Sequence, residues 1–203
     1  MNNIEVGSFD GSQIDSSLTK SCDVKYRRTS LSLVALRQGS FVVSTGIDKE
    51  EEPFSDSDVS EIFATFGHVV DSNPADAPQE LQKKIHAALA SLWTLSPADP
   101  KCPFNLKVKY ATRLVFHLHV PGWAFEDARI KFKTQFEPCE FSDLVWLTLN
   151  GQSQEPKSFS VTDKDSEKKV YEFALYIQAN QTGTTGSTRI IIDPQTDNDG
   201  VGP

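Results

Sequence analysis

His117 and His119 stand two residues apart in Leu114-Val115-Phe116-His117-Leu118-His119-Val120. In a strand, residues i and i+2 project from the same face about 6–7 Å apart, a usable spacing for two metal ligands. Further ligands would have to come from elsewhere in the chain, with Cys139 or Glu137 as candidates. The alternative is that the pair forms the polar side of a half-exposed strand. A thiol nucleophile could draw on Cys102 or Cys139 with one of these histidines, since a thiolate needs a nearby base or cation. Cys102 precedes Pro103 and Cys139 follows Pro138, with no surrounding thiol-hydrolase signature.

Two acidic stretches invite a calcium reading, because hard oxygen ligands at alternate positions suit that ion. Asp163-Lys164-Asp165-Ser166-Glu167 and Asp193-Pro194-Gln195-Thr196-Asp197-Asn198-Asp199-Gly200 each fall short of a complete calcium loop, and solvated turns are the plainer expectation. Gly183-Thr184-Thr185-Gly186-Ser187-Thr188 lacks the lysine of a phosphate loop and precedes a strand, so it reads as a hairpin connection. There is no nucleophile elbow, His-Glu-x-x-His helix or dinucleotide fingerprint. The enzymatic inventory is thin, and no cofactor is expected. Lys25, Arg27 and Arg28 form one basic spot, and Arg129, Lys131 and Lys133 form a basic stripe on a strand; both are candidate contacts for an acidic partner. Trp123, Phe125 and Trp146 would line a ligand pocket if the fold left one concave.

These side chains need elements to hold them. Residues 1–22 read as a flexible arm, and 195–203 as a polar tail. Val24 to Leu36, then Arg37-Gln38-Gly39-Ser40, then Phe41 to Thr45 predict a β-hairpin, followed by an acidic turn over Asp48 to Pro53. Val59, Ile62, Phe63 and Phe66 repeat at helical spacing, with Ser55 placed to cap the start and Gly67 to end it. A second helix is expected from an Asp76 cap, with Leu81, Ile85, Leu89 and Leu92 as its stripe and His86 and Trp93 on its flank. Beyond Pro97 the period changes to two. Strands are expected around Phe104 to Tyr110, Leu114 to Val120, Arg129 to Phe136, Leu144 to Leu149, Ser158 to Thr162, Lys169 to Gln178 and Thr188 to Ile192. The alternating sides of Leu144 to Leu149 suggest a central strand. The layout is therefore mainly β with a small α part: an α+β segment over 23–100, then an antiparallel β-sandwich over 101–194 of immunoglobulin-like kind.

The charge of −8 is uneven. Residues 1–100 hold 8 Lys and Arg against 15 Asp and Glu, or −7, and residues 101–203 hold 12 against 13, or −1. An acidic chain disfavours a nucleic-acid partner, whose binding needs a basic stripe. No run approaches the roughly 18 apolar residues of a spanning helix, so no membrane partner is expected. Three cysteines without close spacing, after a start that lacks basic and apolar leader regions, lead to an expectation of free thiols in the cytoplasm.

Arg189-Ile190-Ile191-Ile192-Asp193-Pro194, with Asn198 and a final Gly-Pro, resembles the ending of small bacterial proteins named DP-EP. The resemblance covers about the last fifteen residues, implies an all-β fold and carries over no functional residue. From the residues themselves, the expected function is a non-enzymatic protein-protein interaction module or adaptor of a bacterial complex, its partner another protein, possibly encoded nearby. The alternatives are a metal-dependent or cysteine hydrolase on the His117/His119 face and a small-ligand-binding sandwich.

Overall fold

Alternation of Leu31, Leu33 and Ala35 with Ser32, Val34 and Leu36 gives the first strand, β1 (Arg28–Arg37), two apolar faces, so it must be covered on both sides. The computed structural model describes residues 14–22, 28–37, 40–50, 54–90, 105–148, 156–179, 188–198 and 200, with the backbone alone for 40–50 and 105. β1 pairs antiparallel with β2 (Ser40–Glu50), forming the predicted hairpin. β2 runs through Asp48 to Glu50, where a loop was expected.

On its other side β1 pairs in parallel with β4 (Ala111–His119), from Thr29↔Ala111 to Arg37↔His119. β4 pairs with β7 (Ser158–Asp163), and β7 with β6 (Phe141–Trp146), giving one sheet in the order β2-β1-β4-β7-β6. The second sheet has the order β3-β10-β8-β5, built from β3 (Asn105–Val108), β10 (Gln195–Asn198), β8 (Val170–Ala179) and β5 (Trp123–Phe132); β9 (Arg189–Ile192) lies on the flank of β8 opposite β5.

Three expectations change here. The sheets are mixed rather than purely antiparallel, because β1–β4 and β3–β10 are parallel. β6 is an edge strand with Val145 41% exposed, not a central one. Gln195 to Asn198, expected as tail, is a strand held between β3 and β8; its buried Thr196 and Asn198 are polar, which is why hydropathy does not mark it.

The two sheets face each other across the larger core. Val34, Leu36, Leu114, Phe116, Leu118, Phe159 and Val161 meet Leu106, Val108, Phe125, Ile130, Phe173 and Leu175. Phe116 stacks on Phe159 at 5.0 Å between centroids and meets Phe173 edge-on at 6.0 Å. Each such side chain contributes about 1.5–3 kcal/mol on burial. The opposite face of the first sheet is covered by two helices. α1 (Asp56–Ser72) starts at Ser55 in a capping box with Asp58, and α2 (Pro78–Leu89) starts after Ala77 with no side-chain cap. Asp76, the expected cap, instead pairs with Lys84 at 2.8 Å. Val59, Ile62, Phe63, Phe66, Val70, Leu81, Ile85 and Leu89 pack on Leu31, Leu33, Ala35 and Val115 as a second core.

The boundary expected near residue 100 lies outside the described residues, as do Leu92 and Trp93. The segments on either side of it share a sheet and both cores. Residues 14–22 also depart from the flexible arm. Leu18 is fully buried, the Leu18 and Lys20 carbonyls accept from Leu144 and Asp143 at 2.9 and 3.2 Å, and Cys22 is disulfide-bonded to Cys139. The expectation of free thiols is corrected for these two; Cys102 lies outside the described residues.

Candidate metal centre

β4 sends alternate side chains to opposite layers. Leu114, Phe116 and Leu118 enter the core between the sheets, while Val115 joins the helix-facing core. His117 follows Val115 by two residues and lies against Phe63 and Phe66 of α1, with ring centroids at 5.8 and 6.3 Å. It is 1% exposed. The face expected to be half-open is covered by helices.

α1 does not stop at Gly67. Val70 continues the stripe of Phe63 and Phe66, and Gly67 is itself buried, so the tertiary contact holds the helix together past a residue of low helix propensity. The added turn brings Asp71 to the histidines. Asp71 Oδ1 lies 2.9 Å from His117 Nε2 and 2.6 Å from His119 Nδ1. Beyond it, the buried Arg37 guanidinium donates to the Asn73 and Pro74 carbonyls, tying the turn after α1 to the sheet at the strand position beside His119.

The second nitrogen of His117 is also held. Ser158, its cross-strand partner on β7, places Oγ 2.7 Å from His117 Nδ1. With Asp71 as acceptor, His117 donates from Nε2 and His119 from Nδ1, and the Ser158 hydroxyl donates to the remaining His117 nitrogen. One ligand atom from each of Asp71, His117 and His119 lies within 4.8 Å of the other two, the grouping a single metal ion needs. His119 and Asp71 are each 23% exposed, so the cluster reaches solvent on one side.

Ser158, His117 and Asp71 also contain the atoms of a nucleophile-base-acid chain. Ser158 is 3% exposed beneath the helices, so its Oγ has no approach to a substrate carbonyl. The chain reads as a hydrogen-bonded support for the histidine.

The other ligands expected for this pair are elsewhere: Cys139 is in the disulfide, and Glu137 is exposed before the turn into β6. Of the basic spot, Lys25 and Arg27 lie outside the described residues, and Arg28 is exposed with its guanidinium 3.1 Å from the Tyr110 hydroxyl. The stripe of Arg129, Lys131 and Lys133 is not one surface. The β5 ladder is interrupted between Phe125 and Ile130, and Arg129, at φ 55, turns inward. It is 5% exposed, lies 4.3 Å over the Trp146 ring and donates to the Leu144 carbonyl at 3.4 Å. Burial pulls its pKa down despite Asp127. Lys131 is exposed, and Lys133 pairs with Asp193 at 2.9 Å. Phe125 fills the core and Trp146 is covered by Arg129, so Trp123, Phe125 and Trp146 do not line one concave pocket.

Asp71 is the residue that sequence reasoning missed. Val70, four residues after Phe66, was the signal that the helix continues. No protein-family model matches the chain, and no curated protein matches it. Among the described residues, no helix is long and apolar enough to cross a membrane.

Proposed function

We propose that this protein is a metal-binding domain whose centre is the carboxylate of Asp71 with the imidazoles of His117 and His119. The observation that carries the reading is the mutual 4.8 Å approach of the three ligand atoms. The nitrogen and oxygen donors suit a borderline divalent ion of the zinc class. Ser158 supplies the outer hydrogen bond that metal-bound histidines usually carry. With Nε2 of His117 holding an ion, the single proton of the neutral imidazole would sit on Nδ1, where the Ser158 hydroxyl, which both donates and accepts, could accept its hydrogen bond. Three protein ligands leave coordination positions for water, the arrangement that serves metal-assisted hydrolysis rather than a closed structural site. The thiol branch of the hydrolase expectation has no support from Cys139, which is bonded.

The interaction-module reading has less support. One edge it could offer, the outer side of β6, is already taken by residues 18–20 through backbone hydrogen bonds. The cytoplasmic expectation rested in part on unpaired thiols, and the Cys22–Cys139 bond removes that part of its support.

The test is elemental analysis of the full chain after equilibration with Zn2+ and removal of free ion. One zinc per chain is expected, lost in His119→Ala, whose side chain is 23% exposed and can be removed without opening the core. Absence of zinc from the wild type, or its retention in both His119→Ala and Asp71→Ala, overturns the proposal.

A further inference from the structure

Residues 14–22 lie against an edge of the first sheet. β6 ends that sheet, and its ladder with β7 is interrupted between Ser142 and Val145. Asp143 sits in the interruption at φ 53, and the amides of Asp143 and Leu144 donate to the Lys20 and Leu18 carbonyls at 3.2 and 2.9 Å. Beside them the Leu18 side chain enters the core between the sheets, 0% exposed. A tight turn delivers it. The Leu18 amide donates to the Asp15 carbonyl at 3.0 Å, and Asp15 Oδ1 accepts from the Ser17 amide and hydroxyl at 2.9 and 2.6 Å.

The bonds to Asp15 hold the turn to itself. Among the described residues, what holds it to the sheet is one apolar side chain, two backbone hydrogen bonds and the Cys22–Cys139 disulfide. Asp15, Ser16, Thr19, Lys20 and Ser21 are exposed. Ordering the backbone of a residue costs about as much as one hydrogen bond or more returns, so fixing residues 14–22 outweighs two such bonds and one buried leucine. The disulfide decides the balance. With Cys22 tied to Cys139 the turn folds back over a short tether; with the bond open, the nearest fixed strand on that side is β1, which starts at Arg28. Both cysteines are half-buried rather than enclosed, which leaves the bond within reach of a small thiolate.

We infer that residues 14–22 form a redox-controlled strap: the closed disulfide holds them over the edge of β6, and a dithiol reductant releases them and bares the amides of Asp143 and Leu144. In that step a thiolate of the reductant attacks one sulfur of the bond, and the other cysteine leaves as its thiolate. The second thiolate of the reductant then attacks the mixed disulfide and frees the second cysteine. Two electrons pass from the dithiol to the protein, the reductant becomes a disulfide, and the cysteine thiolates take protons from water. An edge strand with bared amides is a template for pairing with another chain, and the closed bond keeps this one covered.

The test is amide hydrogen exchange, read by NMR on the folded full chain in its oxidised form and in dithiothreitol, with thiol labelling to count opened cysteines. Reduction is expected to add the two thiols of Cys22 and Cys139. It should raise the exchange rates of the Leu18, Asp143 and Leu144 amides roughly tenfold or more relative to those of β4, and reoxidation should restore the ratio. Comparison with β4 removes the general loss of stability, which amides that exchange through global unfolding share. Cys22→Ser should give the raised ratio without reductant. An unchanged ratio with the bond open would mean that packing alone keeps the strap docked, and would overturn the inference. A bond that dithiothreitol cannot open in the folded protein, or a chain that unfolds as a whole on reduction, would overturn it too. If Cys22→Ser does not fold, the reduced wild type still decides.

Discussion

β4 and β7 carry two polar clusters at their opposite ends and on opposite faces. His117, paired across the strands with Ser158, faces the helices; Asp163, paired with Thr112, faces the other sheet. Five residues of strand, about 17 Å, separate the two positions along β4. At the histidine end each acceptor has a donor: Asp71 receives from two imidazoles and His117 from Ser158. At the acidic end, carboxylates lie beside carboxylates, and Oδ2 of Asp163 and Oδ1 of Asn198 are buried without a hydrogen-bond partner. An ion at the first must displace protons from hydrogen bonds that already satisfy it, so the affinity for zinc, and the stability that bound zinc adds, should fall as protons become more available.

The largest expected effect concerns the disulfide. Cys139 immediately precedes Glu140, and its bond to Cys22 closes a chain separation of 117 residues. In the chain-entropy picture such a closure is worth about 4–5 kcal/mol. Reduction should lower urea stability by that order and speed amide exchange over residues 140–144, leaving zinc affinity at the histidine end unchanged. Equal loss at both ends would break the distinction drawn between them.

Within the histidine end, burial separates the two rings. His117→Ala removes a ring packed on Phe63 and Phe66 and leaves the buried Ser158 hydroxyl without its acceptor, so a loss of about 3 kcal/mol is expected in urea unfolding. His119→Ala, at a 23% exposed side chain, should cost no more than about 1 kcal/mol. Both should abolish zinc binding. A smaller effect falls on the support: Ser158→Ala should weaken zinc about 10- to 100-fold, or roughly 1.4–2.7 kcal/mol, as measured by competition with a zinc indicator.

How far these regions are legible in the sequence differs for physical reasons. Period-two alternation places His117 and His119 on one face, because that depends only on neighbouring residues. Asp71 is hidden by Gly67, whose low propensity reads as a helix end until packing of Val70 overrides it. The mainly β layout and the hairpin follow from local pattern. The parallel pairing of β1 with β4 does not, since it joins segments about 80 residues apart. The acidic end is the least legible: Asp163 and Asn198 look like solvated turns until β10 is seen to run between β3 and β8. The arm and the disulfide fail in the same way, since three isolated cysteines give no spacing and Leu18 no periodic neighbour.

Acid should act on the two ends with opposite sign. Zinc competes with protons for imidazole nitrogens, so its affinity falls as pH falls. Burial, opposed by the hydrogen bonds from Asp165 and Asn198 and reinforced by Glu140 and Asp165, holds the Asp163 carboxyl well above its ordinary 3.8. The native state therefore binds this proton more tightly than the unfolded chain does. The stability it contributes is fully present below about 3.8 and is lost as pH rises through the native value. In chelator-treated protein the difference between wild type and Asp163→Asn should change by at most about 1.4 kcal/mol per pH unit across that window. Urea unfolding at several pH values checks it, and a flat difference would remove the electrostatic contrast between the ends.

The most direct test of the account is X-ray absorption at the zinc edge of the loaded full chain. It predicts a shell of nitrogen and oxygen at about 2.0–2.1 Å containing two imidazoles, and no bound zinc to absorb in His119→Ala. A sulfur neighbour at about 2.3 Å, or a shell with fewer than two imidazoles in the wild type, would contradict it.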